Sequence, residues 1–411
     1  VGLSLSAGSP APGAYNEIDA AGLDLSIVIP CLNESRALAH CLENAGAALR
    51  RVNALYGLKG EILIADNGST DGSQALARAL GARVVEVRAR GYGAAIKGGC
   101  VAARGRLLVI GDADGSYDFC DGVQMVGELL AGADLCIGSR FRGGIAKGAM
   151  PWKNRYIGNP ALTGLLNLFF RSGVEDAHCG LRAITRDAFA ALDLSSTGME
   201  FASEMVVKAS LKRLRITQAP VTLAKDLRDR PPHLRPWRDG WRHLRFLIML
   251  SPTWAFGVPA ALCMAASMYI LAFADLHCVG LLAGTGMYGT SWQIIAGFLF
   301  TSGHFAAVMA VAMHIFGVRQ GHRPLRPSVR IVMQVLTLEK LIAAGLAMMI
   351  CAFGLLAMIA AQWSAAHYVA LPTVLPLVLT AVLGATGMQT IFGAFVLGIL
   401  MEAGGGQDVF R

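Results

Sequence analysis

The stretch "LLVIGDADGSYDF", residues 107–119, decides how the chain is to be read. It opens on an apolar run that Gly111 interrupts; Asp112 and Asp114 follow one residue apart, with Asp118 beyond. A short apolar run closed by glycine and acids predicts a buried strand that stops at a loop. The paired acids have two readings. At a strand end they would hold a hard divalent cation, Mg²⁺ or Mn²⁺, which takes carboxylate and diphosphate oxygens. Alternatively they cap the helix that follows. Asp118 reads as a helix-start residue.

Outward from this stretch the same alternation repeats. "LDLSIVIP" (23–30), "GEILIAD" (60–66), "ARVVEV" (82–87), "RLLVIGD" (106–112) and "ADLCIGS" (133–139) predict strands. Helices are predicted over 34–57, 73–80, 92–104 and 121–131. Short apolar strands alternating with helices imply an α/β, Rossmann-like, mainly parallel sheet. Ligands of such sheets sit beyond the carboxyl ends of the strands. There the sequence places Pro30 to Glu34, Asp66-Asn67, Asp112-Ala113-Asp114 and Ser139-Arg140. Asp66 would accept from a base N–H and Glu34 from a ribose hydroxyl, although Asn-Gly and Asp-Gly pairs also read as plain turn chemistry. "RGYGAAIKGG" (90–99) matches no phosphate-loop spacing, and its small residues serve either nucleotide approach or helix packing.

Composition divides the chain. Apolar residues make up 54% and charged residues 16%, and mean hydropathy is +0.50, which calls for membrane segments. Charge gathers in residues 24–250, and four apolar spans follow at about 254–274, 292–316, 341–361 and 377–400. Each supplies the ~20 apolar residues needed to cross a bilayer. The connections at 275–290 and 362–369 lack Lys and Arg, while the middle loop carries Arg319, Arg323, Arg326 and Arg330. The positive-inside rule puts that loop, the head and both termini in the cytoplasm, on a cell's inner membrane. The domain reading is a flexible leader (1–23), a catalytic head (24–226), a basic interfacial segment (227–250), a membrane domain (251–402) and a cytoplasmic tail (403–411). The interfacial segment mixes arginines with Trp237 and Trp241, as a stretch lying on lipid does. His304 and His314 lie within the spans, where they either touch a lipid headgroup or reach water. Nine scattered cysteines without a C-x-x-C pair argue against a disulfide framework or a zinc site. The net charge of +8 suits a phosphorylated substrate or an anionic membrane, and no nucleic-acid partner is expected.

Six motifs in order carry a family resemblance: "IVIPCLNE", "ILIADNGSTDGS", "GDADGSYDF", "GSRFRGG", "DAHCGLRAITRDAF" and "GMEFASEMVVKA". Over about residues 24–250 the chain resembles family-two glycosyltransferases of the GT-A fold. Within them it looks most like the membrane-bound polyprenyl- or dolichyl-phosphate hexose synthases. The resemblance implies that Pro30, Glu34 and Asp66 hold the nucleoside. It implies that Asp112, Ala113 and Asp114 serve the diphosphate, with Asp112 and Asp114 on the metal, and that Arg140 faces the sugar phosphate. Arg182 and the basic residues Arg228, Arg230, His233 and Arg235 would approach the acceptor phosphate. Some relatives carry a glutamine where this chain has Ser116, and a Ser-Lys pair where it has Pro232-His233. No Q-x-x-R-W motif of processive synthases occurs.

The expected reaction is a single inverting displacement of a hexose from UDP-glucose or GDP-mannose to a polyprenyl phosphate. Were the acceptor a lipid hydroxyl, a general base would be needed; Asp176 is then the candidate, unless it only anchors the loop before Cys179. The alternatives are transfer to another membrane lipid, or a non-catalytic membrane scaffold or transport partner. Homo-oligomerisation stays open.

Overall fold

The computed structural model describes residues 22–228, 236–278, 289–319, 325, 327, 329–331, 337–369 and 373–402. The chain divides into two compact units, residues 1–247 and 248–411.

The first unit is built on a seven-stranded sheet in the order β3-β2-β1-β4-β6-β5-β7. Its strands are β1 (Leu25–Cys31), β2 (Gly60–Asp66), β3 (Arg83–Glu86), β4 (Leu107–Ile110), β5 (Leu135–Ser139), β6 (Arg182–Thr185) and β7 (Ile216–Pro220). Six run parallel, and β6 lies antiparallel between β4 and β5. Every residue of β1 is buried, as expected of a central strand covered on both faces, where alternation gives way to a continuous apolar run. The helices that cover the sheet are α1 (Ser35–Tyr56), α2 (Ser73–Ala79), α3 (Tyr92–Ala102) and α4 (Gly122–Leu130), followed by a short α5 (Arg140–Gly143), α6 (Asn159–Phe170), α7 (Arg186–Leu192) and α8 (Phe201–Leu211).

The small residues of "RGYGAAIKGG" pack α3 on the sheet. A Cβ on Gly99 would come 2.5 Å from Val28 Cγ1 and 2.8 Å from Ala65 Cβ. Of the two roles open to that stretch, helix packing is the one these contacts fill. Asp118 accepts from the Cys120 N–H at 2.8 Å and so starts the turn before α4. Beyond β5 the sequence announces no regular element, yet the structure has β6, α7, α8 and β7 there. The four-residue β6 is too short for a periodic signal, and its antiparallel pairing with β4 and β5 is a tertiary property.

Helix α9 (Pro236–Met249) follows. It exposes Arg238, Trp241, Arg242 and Arg245 and buries His243 and Leu247. Arg230, His233 and Arg235 lie outside the described residues, as do most of the leader and the tail after residue 402.

Among the described residues the second unit contains α10 (Val258–Cys278), α11 (Thr290–Arg319), α12 (Leu338–Ala365) and α13 (Leu375–Glu402). Among the described residues four helices are long and apolar enough to cross a membrane: 253–276, 290–319, 338–365 and 375–401. His304 sits between two of them: its Nδ1 is 2.9 Å from Gln389 Oε1 and its Nε2 3.4 Å from Thr390 Oγ1. Half-buried His304 thus bonds across to the neighbouring helix.

Candidate active site

The carboxyl ends of β1, β2 and β4 open on one edge of the sheet, because these strands are parallel neighbours. Buried Pro30 lies opposite Ala65 in the β1–β2 register. After β1 the chain turns at Asn33, whose φ is 58° and whose Oδ1 accepts from the Thr70 N–H at 2.7 Å. That turn delivers Glu34 to the start of α1, 7% exposed. At the end of β2, Asp66 is buried. Its Oδ2 accepts from the N–H of Gly68 at 2.9 Å and of Ser69 at 3.1 Å, and from Gln74 Nε2 at 2.6 Å. Turn donors therefore orient the carboxylate, while among the described residues its Oδ1 has only a 3.3 Å contact with the Ser69 N–H. Gln74 was not singled out in the sequence; its place eight residues after Asp66, on α2, is the only signal there was.

The loop after β4 holds the acid pair around buried Ala113. Tyr92 Oη donates to Asp112 Oδ1 at 2.9 Å. Gly180 lies against the same carboxylate, since a Cβ there would fall 2.3 Å from Asp112 Oδ2. Burial and the neighbouring Asp114 charge raise the Asp112 carboxyl above the ordinary carboxylate range. Asp114 Oδ1 accepts from the Ser116 N–H at 3.0 Å and the Ser116 hydroxyl at 2.6 Å. Ser116 thus orients the second aspartate.

A strap from the far end of the unit closes this edge. Ala224 N–H donates to Ser116 O and Leu227 N–H to Asp114 O, both at 2.9 Å. The strap brings in Arg228, whose guanidinium lies 2.6 Å from Asp114 Oδ2, 3.2 Å from Asp226 Oδ2 and 3.4 Å from Glu34 Oε1. One cation thus gathers carboxylates from the β1 end, the β4 end and the strap.

Arg140 leads α5 at the end of β5 and makes a two-pronged, buried ion pair with Asp176: Nε to Oδ2 at 2.6 Å and Nη2 to Oδ1 at 2.7 Å. Asp176 is fully buried. This geometry gives Asp176 the anchoring role and no open face from which to take a proton. Arg182 also differs from its expected place: its guanidinium donates to the carbonyls of Cys179, Ala202 and Ala177 at 2.7–2.8 Å. It holds a loop together from inside and is 3% exposed. Tyr117 Oη accepts from the Gly180 N–H at 2.9 Å and lies 3.5 Å from Arg140 Nη1. Tyr92 and Tyr117 carry no local signal, because their partners lie 20 or more residues away; Asp226 pairs with Arg228 two residues on, in an irregular stretch without periodic signal.

The donor set fits a hard divalent cation. Two carboxylates stand either side of Ala113 at a strand end, and a guanidinium is already drawn in as counter-charge. Among the described residues no three His, Cys, Asp or Glu side chains form a metal cluster by themselves. A cation at Asp112 and Asp114 would complete its shell with water or diphosphate oxygens.

A mainly parallel sheet of this order, a D-x-D at the end of a central strand and a four-helix apolar domain define a membrane protein with a GT-A-type glycosyltransferase head. The pattern described as "Glycosyl transferase family 2" matches residues 26–193, and the family's C-terminal transmembrane region matches residues 311–401. The chain is 34% identical to the low-salt glycan biosynthesis hexosyltransferase Agl6 of Haloferax volcanii, over 92% of this chain and 89% of that protein. It belongs to glycosyltransferase family 2 and is a glycosyltransferase. A dolichyl-phosphate hexose transferase of the same organism is 28% identical over 48% of this chain and 82% of its own length. Glucosyl-3-phosphoglycerate synthase of Mycobacterium tuberculosis, solved with Mn²⁺, UDP and glucosyl-3-phosphoglycerate, is 24% identical with a TM-score of 0.42, covering 59% of this chain and 84% of that one. That likeness is too distant to carry chemistry across.

Proposed function

We infer that the protein is a metal-dependent, inverting glycosyltransferase that moves a hexose from a nucleotide sugar, UDP-glucose or GDP-mannose, to a polyprenyl phosphate of the dolichyl type. The observation that carries this reading is Arg228, which joins the D-x-D to the basic segment leading to α9. It ties the donor's end of the site to the part of the chain that would meet an acceptor phosphate.

In this mechanism Pro30, Glu34 and Asp66 border the nucleoside. Asp112 and Asp114 would hold Mg²⁺ or Mn²⁺, which when bound neutralises charge on the diphosphate leaving group. Arg140, held by Asp176, adds a fixed positive charge where the diphosphate leaves. Arg228, with Arg230, His233 and Arg235 beyond it in sequence, would hold the acceptor phosphate against its repulsion by the diphosphate. A lipid-phosphate oxygen is anionic at neutral pH and attacks the anomeric carbon from the face opposite the leaving group without a base. A hydroxyl acceptor would need one. The candidate base, Asp176, is sealed in its pair with Arg140, which favours the phosphate. The similarity to a dolichyl-phosphate hexose transferase supports the same acceptor.

The test is the lability of the product. Purified protein is offered labelled UDP-glucose or GDP-mannose, polyprenyl phosphate and Mn²⁺ or Mg²⁺. A lipid-linked sugar released by mild acid is expected; an acid-stable glycoside would replace this reading with transfer to a lipid hydroxyl.

A further inference from the structure

Away from the carboxylates, a buried polar chain ties α9 to the loop between Asp176 and Arg182. His178 Nε2 lies 3.2 Å from Ser203 Oγ, and Ser203 Oγ lies 2.8 Å from His243 Nδ1. The two imidazoles meet edge to face, with ring centroids 4.8 Å apart. Ser203 is fully buried and His243 is 5% exposed. The transfer mechanism makes no direct use of any of the three.

The direction of the hydrogen bonds follows from proton counting. A serine hydroxyl has one proton, so it donates to one ring and accepts from the other. His178 Nδ1 is buried and has no hydrogen-bond partner among the described residues. A proton there would be an orphaned donor, the costlier kind of unpaired buried group. The proton of neutral His178 therefore sits on Nε2 and is given to Ser203 Oγ. Ser203 in turn donates to His243 Nδ1, which acts as an acceptor.

His178 belongs to the loop on which the site leans. Two residues before it, Asp176 holds Arg140; two residues after it, Gly180 lies against Asp112 and donates to Tyr117 Oη. Arg182 fastens the loop to the start of α8 through the Ala202 carbonyl, next to Ser203. On the basis of the function inferred above, we propose that His243 of α9 is a positioning residue for the transfer. By accepting from Ser203, it fixes the 176–182 loop, and with it the Arg140 guanidinium and the wall behind Asp112. The helix that exposes Arg238, Trp241, Arg242 and Arg245 is thereby coupled to the groups that serve the leaving diphosphate.

The test compares His243→Leu, which keeps the bulk but removes the acceptor, with His243→Asn, whose amide oxygen replaces Nδ1. Both are made in the full chain in detergent. Misplaced Arg140 weakens an interaction that counts in the transition state, so kcat should fall about tenfold or more in the leucine variant while the donor KM moves less than about threefold. The asparagine variant should recover at least about half of the wild-type kcat, since an acceptor is restored. Wild-type kcat in the leucine variant overturns the proposal, and so does an asparagine variant as impaired as leucine. If the leucine variant does not fold, Ser203→Ala is read by the same kcat and KM criteria. Should the wild type transfer no sugar to lipid phosphate, the function fails separately. Hydrogen exchange then decides: faster exchange of the 177–182 amides in His243→Leu, with 25–31 unchanged, supports the positioning role, and unchanged exchange refutes it.

Discussion

Gly180 shows how tightly single atoms constrain the site. Its φ is not in the left-handed region, so its backbone would accept alanine. The obstacles are Asp112 Oδ2 and Tyr117 Cε2, 2.3 and 2.9 Å from where the methyl would stand. Gly180→Ala should therefore displace Asp112 and lower kcat by about a hundredfold, the cost of misplacing a catalytic group by about 1 Å, with an unchanged far-UV spectrum. A variant with near-normal kcat would show that Asp112 does not need this wall. Legibility in the sequence followed the same logic. Glu34, Asp66, Asp112 and Asp114 could be found because each ends a strand, and strand ends announce themselves locally. Tyr92 and Tyr117 could not, since what matters about them is whom they meet. Arg228 and Asp114, 114 residues apart, are one contact in space. Asp176 could be flagged, but its buried pair with Arg140 could not, since the two lie 36 residues apart.

At the scale of elements, the strands up to β5 are legible because each is a continuous apolar run between turn residues. Strand β6 and helix α8 are not; α8 instead carries a buried ion pair. Glu204 and Lys208 lie one turn apart with a 2.9 Å contact and almost no exposure. Glu204 also accepts from the Ser195 and Ser196 N–H groups and so closes the loop before α8. Burial alone would raise its carboxyl, but Lys208 and these amides outweigh burial and hold it below its ordinary 4.5. The unfolded chain therefore binds the proton more readily than the folded one. The stability this group supplies is complete above about pH 4.5 and is lost as pH falls through the lower folded value. The urea midpoint of the full chain in detergent should fall from pH 5 to pH 3, and less steeply in Glu204→Gln. An equal slope in the two proteins would contradict the assignment. Lys208→Met, which strands the buried carboxylate, should cost about 3–5 kcal/mol, read from the same urea curves.

On the scale of the whole molecule, composition separates a charged catalytic unit from an apolar one, and the four membrane-length helices follow that division. Their orientation rests on the arginines around 319–330 against the connections at 275–290 and 362–369, which lack Lys and Arg. A cysteine replacing Ser364 should therefore react with an impermeant maleimide in intact cells, above the wild-type background, and one replacing Arg330 only after permeabilisation. The reverse pattern would contradict the cytoplasmic head proposed for this chain. A head on the other side would face away from cytoplasmic nucleotide sugars, so topology and chemistry stand together. Sugar and base identity were not legible, because pocket shape rather than motif selects them. The most direct test is lipid-linked sugar formation from UDP-glucose or GDP-mannose and polyprenyl phosphate by the purified chain and by Asp114→Asn, with and without a chelator. The account predicts an acid-labile lipid-linked hexose, abolished by the chelator, restored by Mn²⁺ or Mg²⁺, and reduced at least about a hundredfold in the variant, as for loss of a group that stabilises developing charge. Full activity of Asp114→Asn, or no lipid-linked sugar from either donor, would contradict it.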